Sequence, residues 1–389
     1  LSPFQTAFSA SGRNKANVAC EHPGKNSTER TGRRKLFPRS EVVSDNPGSV
    51  MNHVTLTEVG SNGFNQWVLT APRRQALPIA VYPGVAMTGA TVQEIVTKPE
   101  AQVAAQLALH ARYKTPALLS AMDLSAEAEA FGCTVHMSAT EVPSVTGRLI
   151  TSMQAARELA VPEAGAGRTG VYLETVRRLR AASDGRLVLG GCIGPFSLAA
   201  RLVGVSEAME LTLAEPELME VLLEKSAAFL TAYLQAFKAA GADGAIMAEP
   251  AAGLLSPRMM AAFSSNFIRQ IGEAVGDGRF ALVLHNCAAR ALHLPAVLQT
   301  GLKTFHFGAP MDLPAALAQV PPEVVVCGNL DPTGVFVQST PTEMAQRVAQ
   351  VLSALAGHRN FVISSGCDVP PNAPLANLDA FYAAVETAG

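Results

Sequence analysis

The sequence predicts an α/β protein folded as a single (β/α)8 TIM barrel. Eight short apolar, β-branched runs alternate with longer amphipathic stretches rich in Ala and Leu. Polar and reactive residues gather at the C-terminal ends of those runs. Regular alternation of strand and helix implies a parallel sheet. Eight strands are the number that closes this kind of barrel, whose chemistry lies where the βα loops meet. A doubly wound open sheet is the alternative that the same alternation allows.

The predicted strands are, in order, LPIAVYP (77–83), PALLSAMD (116–123), LVLGGCIG (187–194) and ADGAIMAE (242–249), then FALVLHNC (280–287), LKTFHFG (302–308), EVVVCGN (323–329) and NFVISSG (360–366). Each is a short apolar run bounded by turn residues. Helical periodicity fills 96–113, 214–240, 257–275, 342–356 and 375–387. The longest gap, 136–186, contains Gly165, Gly167 and Gly170 in G-x-G-x-x-G spacing. No strand precedes them, so the phosphate-cradling geometry has no basis and the segment reads as a connector.

Residues 1–50 differ from the rest: polar, rich in Ser, Arg, Lys and Asn, and without periodicity. They lack the apolar core of a secretory signal, and their acidic residues argue against a transit peptide. They are expected to be a disordered or non-native extension, with Met51 as the natural start and 51–389 as the barrel. A functional tail is the other reading.

The formal net charge is -2, and only 6% of residues are aromatic, which gives neither the basic field nor the stacking surface of a nucleic-acid binder. No apolar run reaches the roughly 18 residues of a membrane span. The six cysteines are scattered rather than densely spaced, which suits a reduced cytoplasm. In that setting a cysteine near a histidine is a candidate metal ligand or nucleophile.

His285 and Cys287 lie two apart at the end of one predicted strand, and Cys367 closes another. Strand side chains two apart share a face. One nitrogen and two sulfurs from two strand ends match a three-ligand catalytic zinc with a fourth position open for substrate. The other reading is a buried polar strand end with two small core residues.

The segments LVLHNC, VVVCGNLDP and ISSGCDVPPNAPLANLDAF, with YPGVAMTGATVQEI, AMDLSAEAEAFGCTV, GPFSLAARLVG and GADGAIMAEPAAGLLSP, resemble the uroporphyrinogen decarboxylase superfamily over about residues 75–389. Within it the resemblance is to the methylcobamide:coenzyme M methyltransferases. That branch keeps H-x-C and a later C, as His285, Cys287 and Cys367 do here. The decarboxylases have an arginine-rich segment after the first strand and a histidine where this chain has Cys367. The resemblance therefore implies a zinc enzyme that moves a methyl group from a methylated corrinoid to a small-molecule thiol such as coenzyme M. The methylcobamide would be carried by a separate corrinoid protein, because this chain has no corrinoid-type D-x-H-x-x-G stretch. Uroporphyrinogen decarboxylase itself is one alternative. A non-catalytic module that binds zinc and a corrinoid protein is another.

Asp123 falls at the position of the decarboxylases' catalytic aspartate; substrate contact, hydrogen bonding to a zinc-ligating histidine and a structural role at the barrel mouth are its readings. Glu249 is a candidate fourth zinc ligand displaced by the thiol, or else a carboxylate bonded to backbone amides. Tyr82 and Met87 are candidates to line the mouth against a flat macrocycle, or core residues. Asn329 is a further cofactor-side candidate, although with Asp331 it also reads as a brace for the loop after the seventh strand. Glu127 and Glu129 read as solvated helix positions. Cys133, Cys192 and Cys327 read as packing.

Overall fold

The computed structural model describes residues 59–388, so the extension expected at 1–50 and the start expected at Met51 lie outside the described residues. Among the described residues nine strands form: β1 (Ala117–Leu119), β2 (Thr134–His136), β3 (Ser144–Thr146), β4 (Leu187–Ile193), β5 (Gly244–Ala248), β6 (Ala281–Asn286), β7 (Thr304–Phe307), β8 (Val325–Leu330) and β9 (Phe361–Ser365). Seven of them make one parallel sheet in the order β1-β4-β5-β6-β7-β8-β9. Strands β4, β5 and β9 are buried along their whole length, which is why they read as continuous apolar runs rather than alternating ones.

The eight paired strands expected from the sequence are corrected to seven. In place of a strand at 77–83, one isolated parallel bridge forms just before it, between Ala76 and Ile363. Around it, Leu77 N donates to Ile363 O at 3.0 Å and Ile363 N donates to Gln75 O at 3.1 Å. Pro78 then has no N–H to offer, Ile79 N donates to the Ser365 hydroxyl at 3.0 Å, and Tyr82–Gly84 winds into a 3-10 turn. Toward β1, a side-chain amide stands in for strand pairing. The Gln106 nitrogen, turned inward, reaches Ala80 O at 3.2 Å and Leu119 O at 3.3 Å. Gln102, one turn earlier on the same helix, ties Ala121 N to Ile95 O, each at 2.8 Å. The sheet curls so that both of its edges, β9 and β1, approach this one run.

Helices cover the outer face. Pro216–Ala239 packs Leu222, Phe229, Tyr233 and Phe237 inward, as its apolar periodicity requires. Pro341–Ala354 begins at a Thr340/Glu343 capping box with proline in its first turn. Helix Val59–Thr70 lies across the N-terminal end of the sheet, where Asn65 bonds both Lys303 O and the Thr304 hydroxyl. The gap at 136–186 holds the end of the small antiparallel hairpin β2–β3 and the helices Met153–Glu158 and Thr169–Ala181. Gly165 and Gly167 lie in the turns that enter the second of these helices, and Gly170 lies in its first turn. Among the described residues no helix is long and apolar enough to cross a membrane.

Candidate metal centre

Strand β6 ends at Asn286, whose Oδ1 accepts from Ala288 N at 3.1 Å and Ala289 N at 2.9 Å. This Asx turn folds the chain back and presents Cys287 at the C-terminal end of the sheet. The next loop presses against it: a Cβ on Gly308 would sit 2.2 Å from Cys287 O, so only glycine fits there. Cys367 stands two residues beyond β9. His285, Cys287 and Cys367 offer one ring nitrogen and two sulfurs within 4.8 Å of one another. The expected strand ends therefore converge in space.

His285 is 1% exposed. Its Nδ1 lies 2.8 Å from Nδ1 of His306, on the neighbouring strand at the paired register position. His306 Nε2 lies 2.8 Å from the Ser364 hydroxyl, which donates to Leu77 O at 2.7 Å. His285 Nε2 is buried with no hydrogen-bond partner. A buried ring nitrogen in that condition loses its hydration without compensation, and grouped with two cysteine sulfurs the ring completes an N/S donor set. The donors fit a borderline-soft divalent metal such as zinc. The neighbouring Cys367 pulls the Cys287 thiol below its ordinary value, while the same neighbour and burial push the Cys367 thiol up against the opposing pull of His285. Burial and the adjacent His285 hold His306 well below the usual histidine range, hence neutral.

The structure does not bring Glu249 into this group. Its Oε1 accepts from Phe196 N at 2.8 Å and from the Ser264 hydroxyl at 2.9 Å, and its Oε2 accepts from Ser197 N at 2.8 Å. It closes the first turn of helix Pro195–Val203, where free amides and the helix dipole favour an anion. Gly194 makes this possible, because a Cβ there would lie 2.5 Å from Oε2. Burial pushes the Glu249 carboxyl up, against the opposing pull of these bonds.

Asp123, just beyond β1, is bonded on both oxygens. Oδ1 accepts from Ser125 N and the Ser125 hydroxyl at 2.9 and 2.6 Å. Oδ2 accepts from the Tyr172 hydroxyl at 2.9 Å and pairs with Arg168. Arg168 also pairs with Glu129. The expectation that Glu127 and Glu129 are solvated is therefore corrected. Glu129 belongs to the ion-pair cluster, and Glu127 is buried, with Oε1 accepting from Ile193 N at 3.0 Å and Oε2 unpartnered. The amphipathic pattern missed this because the short helix Ala126–Ala130 is packed on its acidic side as well.

Tyr82 is fully buried, and its hydroxyl donates to Met122 O at 3.3 Å; Met87 packs against the core while staying partly exposed. Asn329 Nδ2 donates to Gly308 O at 3.1 Å and Met311 O at 2.7 Å. Asp331 Oδ1 accepts from Thr333 N and Gly334 N, both at 2.8 Å. Both brace loops at this end of the sheet. Two leucines stand out at the rim, Leu254 at 62% exposure and Leu292 at 56%. They sit on the turns after β5 and β6, which are joined by the contact between His293 Nε2 and Leu255 O at 3.0 Å.

Sequence reasoning missed His306, Arg168, Tyr172 and Gly308. His306 was the one open to discovery, since HFG on the next strand places a second histidine level with LHNC. Arg168 comes from the long connector and carries no local signal.

Residues 69–388 match the family model described as Uroporphyrinogen decarboxylase (URO-D). A methylcobamide:CoM methyltransferase MtbA from Methanosarcina acetivorans is 28% identical over 260 residues, which cover 66% of this chain and 75% of the relative. A uroporphyrinogen decarboxylase from Idiomarina loihiensis is also 28% identical, over 284 residues that cover 70% and 78% of the two chains. A solved methyltransferase from Methanosarcina mazei shares the fold with a TM-score of 0.74 at 23% identity, covering 82% of this chain and 96% of that one.

Proposed function

The chain belongs to the uroporphyrinogen decarboxylase family, and we propose that it is a zinc-dependent methyltransferase that moves a methyl group from a methylated corrinoid to a thiol such as coenzyme M. The observation that carries this reading is the convergence of His285, Cys287 and Cys367, with the orphaned Nε2 of His285 among them. These three residues would hold the zinc. Bound there, zinc would lower the pKa of an added thiol, whose free value near 8.5 leaves it mostly protonated at neutral pH.

Methyl transfer then needs a thiol sulfur in line with the methyl carbon. The corrinoid, when docked, would supply the methyl group to that sulfur and keep the electron pair of its bond to the methyl carbon. The chain's own part is to hold the acceptor still and to limit water. Asp123 acts through the Arg168–Tyr172–Ser125 cluster, which fixes the loop after β1 at the mouth. Glu249 acts by anchoring the start of helix Pro195–Val203. Met87 meets the macrocycle at the rim, with Tyr82 and Asn329 shaping the floor beneath it. The corrinoid is brought by a partner protein, in a reduced cytoplasm that keeps the cysteine ligands as thiols.

Relatives named as decarboxylases match equally well in identity, which favours uroporphyrinogen decarboxylation as a second reading. The bonding of Asp123 counts against it, because both carboxylate oxygens are already engaged. Replacing Cys367 by Ala tests the first reading: zinc content and thiol methylation should be lost together. Methylation that persists in the zinc-free variant would contradict it.

A further inference from the structure

We infer that His306, backed by Ser364, is a positioning residue that sets the tautomer of His285 and so makes Nε2 its metal-binding nitrogen. The inference rests on the zinc reading above.

The direction of the relay follows from its far end. Leu77 O is a carbonyl and can only accept, so the Ser364 hydroxyl spends its single proton there, at 2.7 Å. Ser364 Oγ must then accept from His306 at 2.8 Å, which puts a proton on His306 Nε2. No salt bridge among the described residues reaches His306, and it is 3% exposed, so a second ring proton would be a buried, uncompensated charge. His306 Nδ1 is therefore a lone pair. The contact at 2.8 Å to His285 Nδ1 is then a bond that His285 donates. With its proton on Nδ1, His285 presents Nε2 as a lone pair, and Nε2 is the nitrogen left without a partner on a ring grouped with the two cysteines.

The relay crosses from β6 through β7 to β9 and ends on the run that failed to become an eighth paired strand. A backbone carbonyl that would otherwise serve a strand ladder instead terminates a side-chain chain. Each of the three side chains, His285, His306 and Ser364, is at most 3% exposed, so water cannot reverse the order of donors. Metal-binding histidines are commonly oriented by a carboxylate or carbonyl. Here a neutral imidazole does that work at one remove.

The test uses the full chain, metal-free and 15N-labelled, and reads the His285 ring by two-bond proton–nitrogen correlation. The expected spectrum shows Nδ1 protonated and Nε2 bare. A protonated Nε2 overturns the inference, and this measurement needs no variant to fold. Zinc affinity by chelator competition then compares His306→Leu, which fills the space without an acceptor, with His306→Asn, whose Oδ1 replaces the Nδ1 lone pair. Loss of about 10–100-fold in the first, with recovery to within a few-fold in the second, supports the assignment. A folded Leu variant that binds zinc as tightly as the wild type overturns it alone. A wild-type chain with no zinc affinity overturns the zinc reading as well.

Discussion

Glu249 Oε2 accepts from the Ser197 backbone N–H at 2.8 Å, which ties the end of β5 to the opening turn of helix Pro195–Val203. Three donors converge on this carboxylate. In Glu249→Gln the amide must turn its NH2 toward at least one of them, leaving a buried donor unmet. The expected cost is about 1–3 kcal/mol of unfolding free energy, with zinc stoichiometry unchanged. Chemical denaturation alongside metal analysis checks both. Unchanged stability with lost zinc would instead assign Glu249 to the metal.

Glu127 predicts a pH dependence of stability. Burial pushes its carboxyl up to about 8, whereas in the unfolded chain it titrates near the ordinary 4.5. The native state therefore keeps a proton that the unfolded state releases. The stability this contributes is complete below about pH 4.5 and is lost as pH rises toward about 8, with a slope of at most about 1.4 kcal/mol per pH unit. Glu127→Gln should flatten that part of the denaturation profile. A variant with the wild-type slope would show that other groups cause it.

Leu254 and Leu292 present apolar surface on two rim turns that are bonded to each other through His293 and Leu255. If the corrinoid arrives on a partner protein, covering each leucine contributes about 1.5–3 kcal/mol. The pair Leu254→Asp and Leu292→Asp should slow transfer from a protein-bound corrinoid tenfold or more, and leave transfer from free methylcobalamin within about twofold. Equal slowing of both donors would place the leucines in the site rather than on the docking surface.

Most of the sheet was legible because strands buried on both faces must be apolar, and the parallel ladder between them leaves no other pattern. Seven of the runs paired as read. The run 77–83 did not, since Pro78 and the Gln106 amide act through tertiary contacts that no local pattern records. His285, Cys287 and Cys367 were legible because ligand chemistry restricts residue type and strand geometry restricts spacing. Glu249 was legible as a residue but ambiguous in role, and only the position of the helix amides distinguishes capping from ligation. Arg168 was not legible at all: it reaches Asp123 from 45 residues away in sequence, and nothing near it marks it as different from a surface arginine.

The most direct test of the central claim is the absorbance of methylcobalamin incubated with zinc-loaded protein and coenzyme M. The account predicts about one zinc per chain and conversion of the methylcobalamin spectrum to that of demethylated corrinoid, abolished when the metal is stripped. A chain that binds no zinc, or turnover that survives its removal, would contradict it.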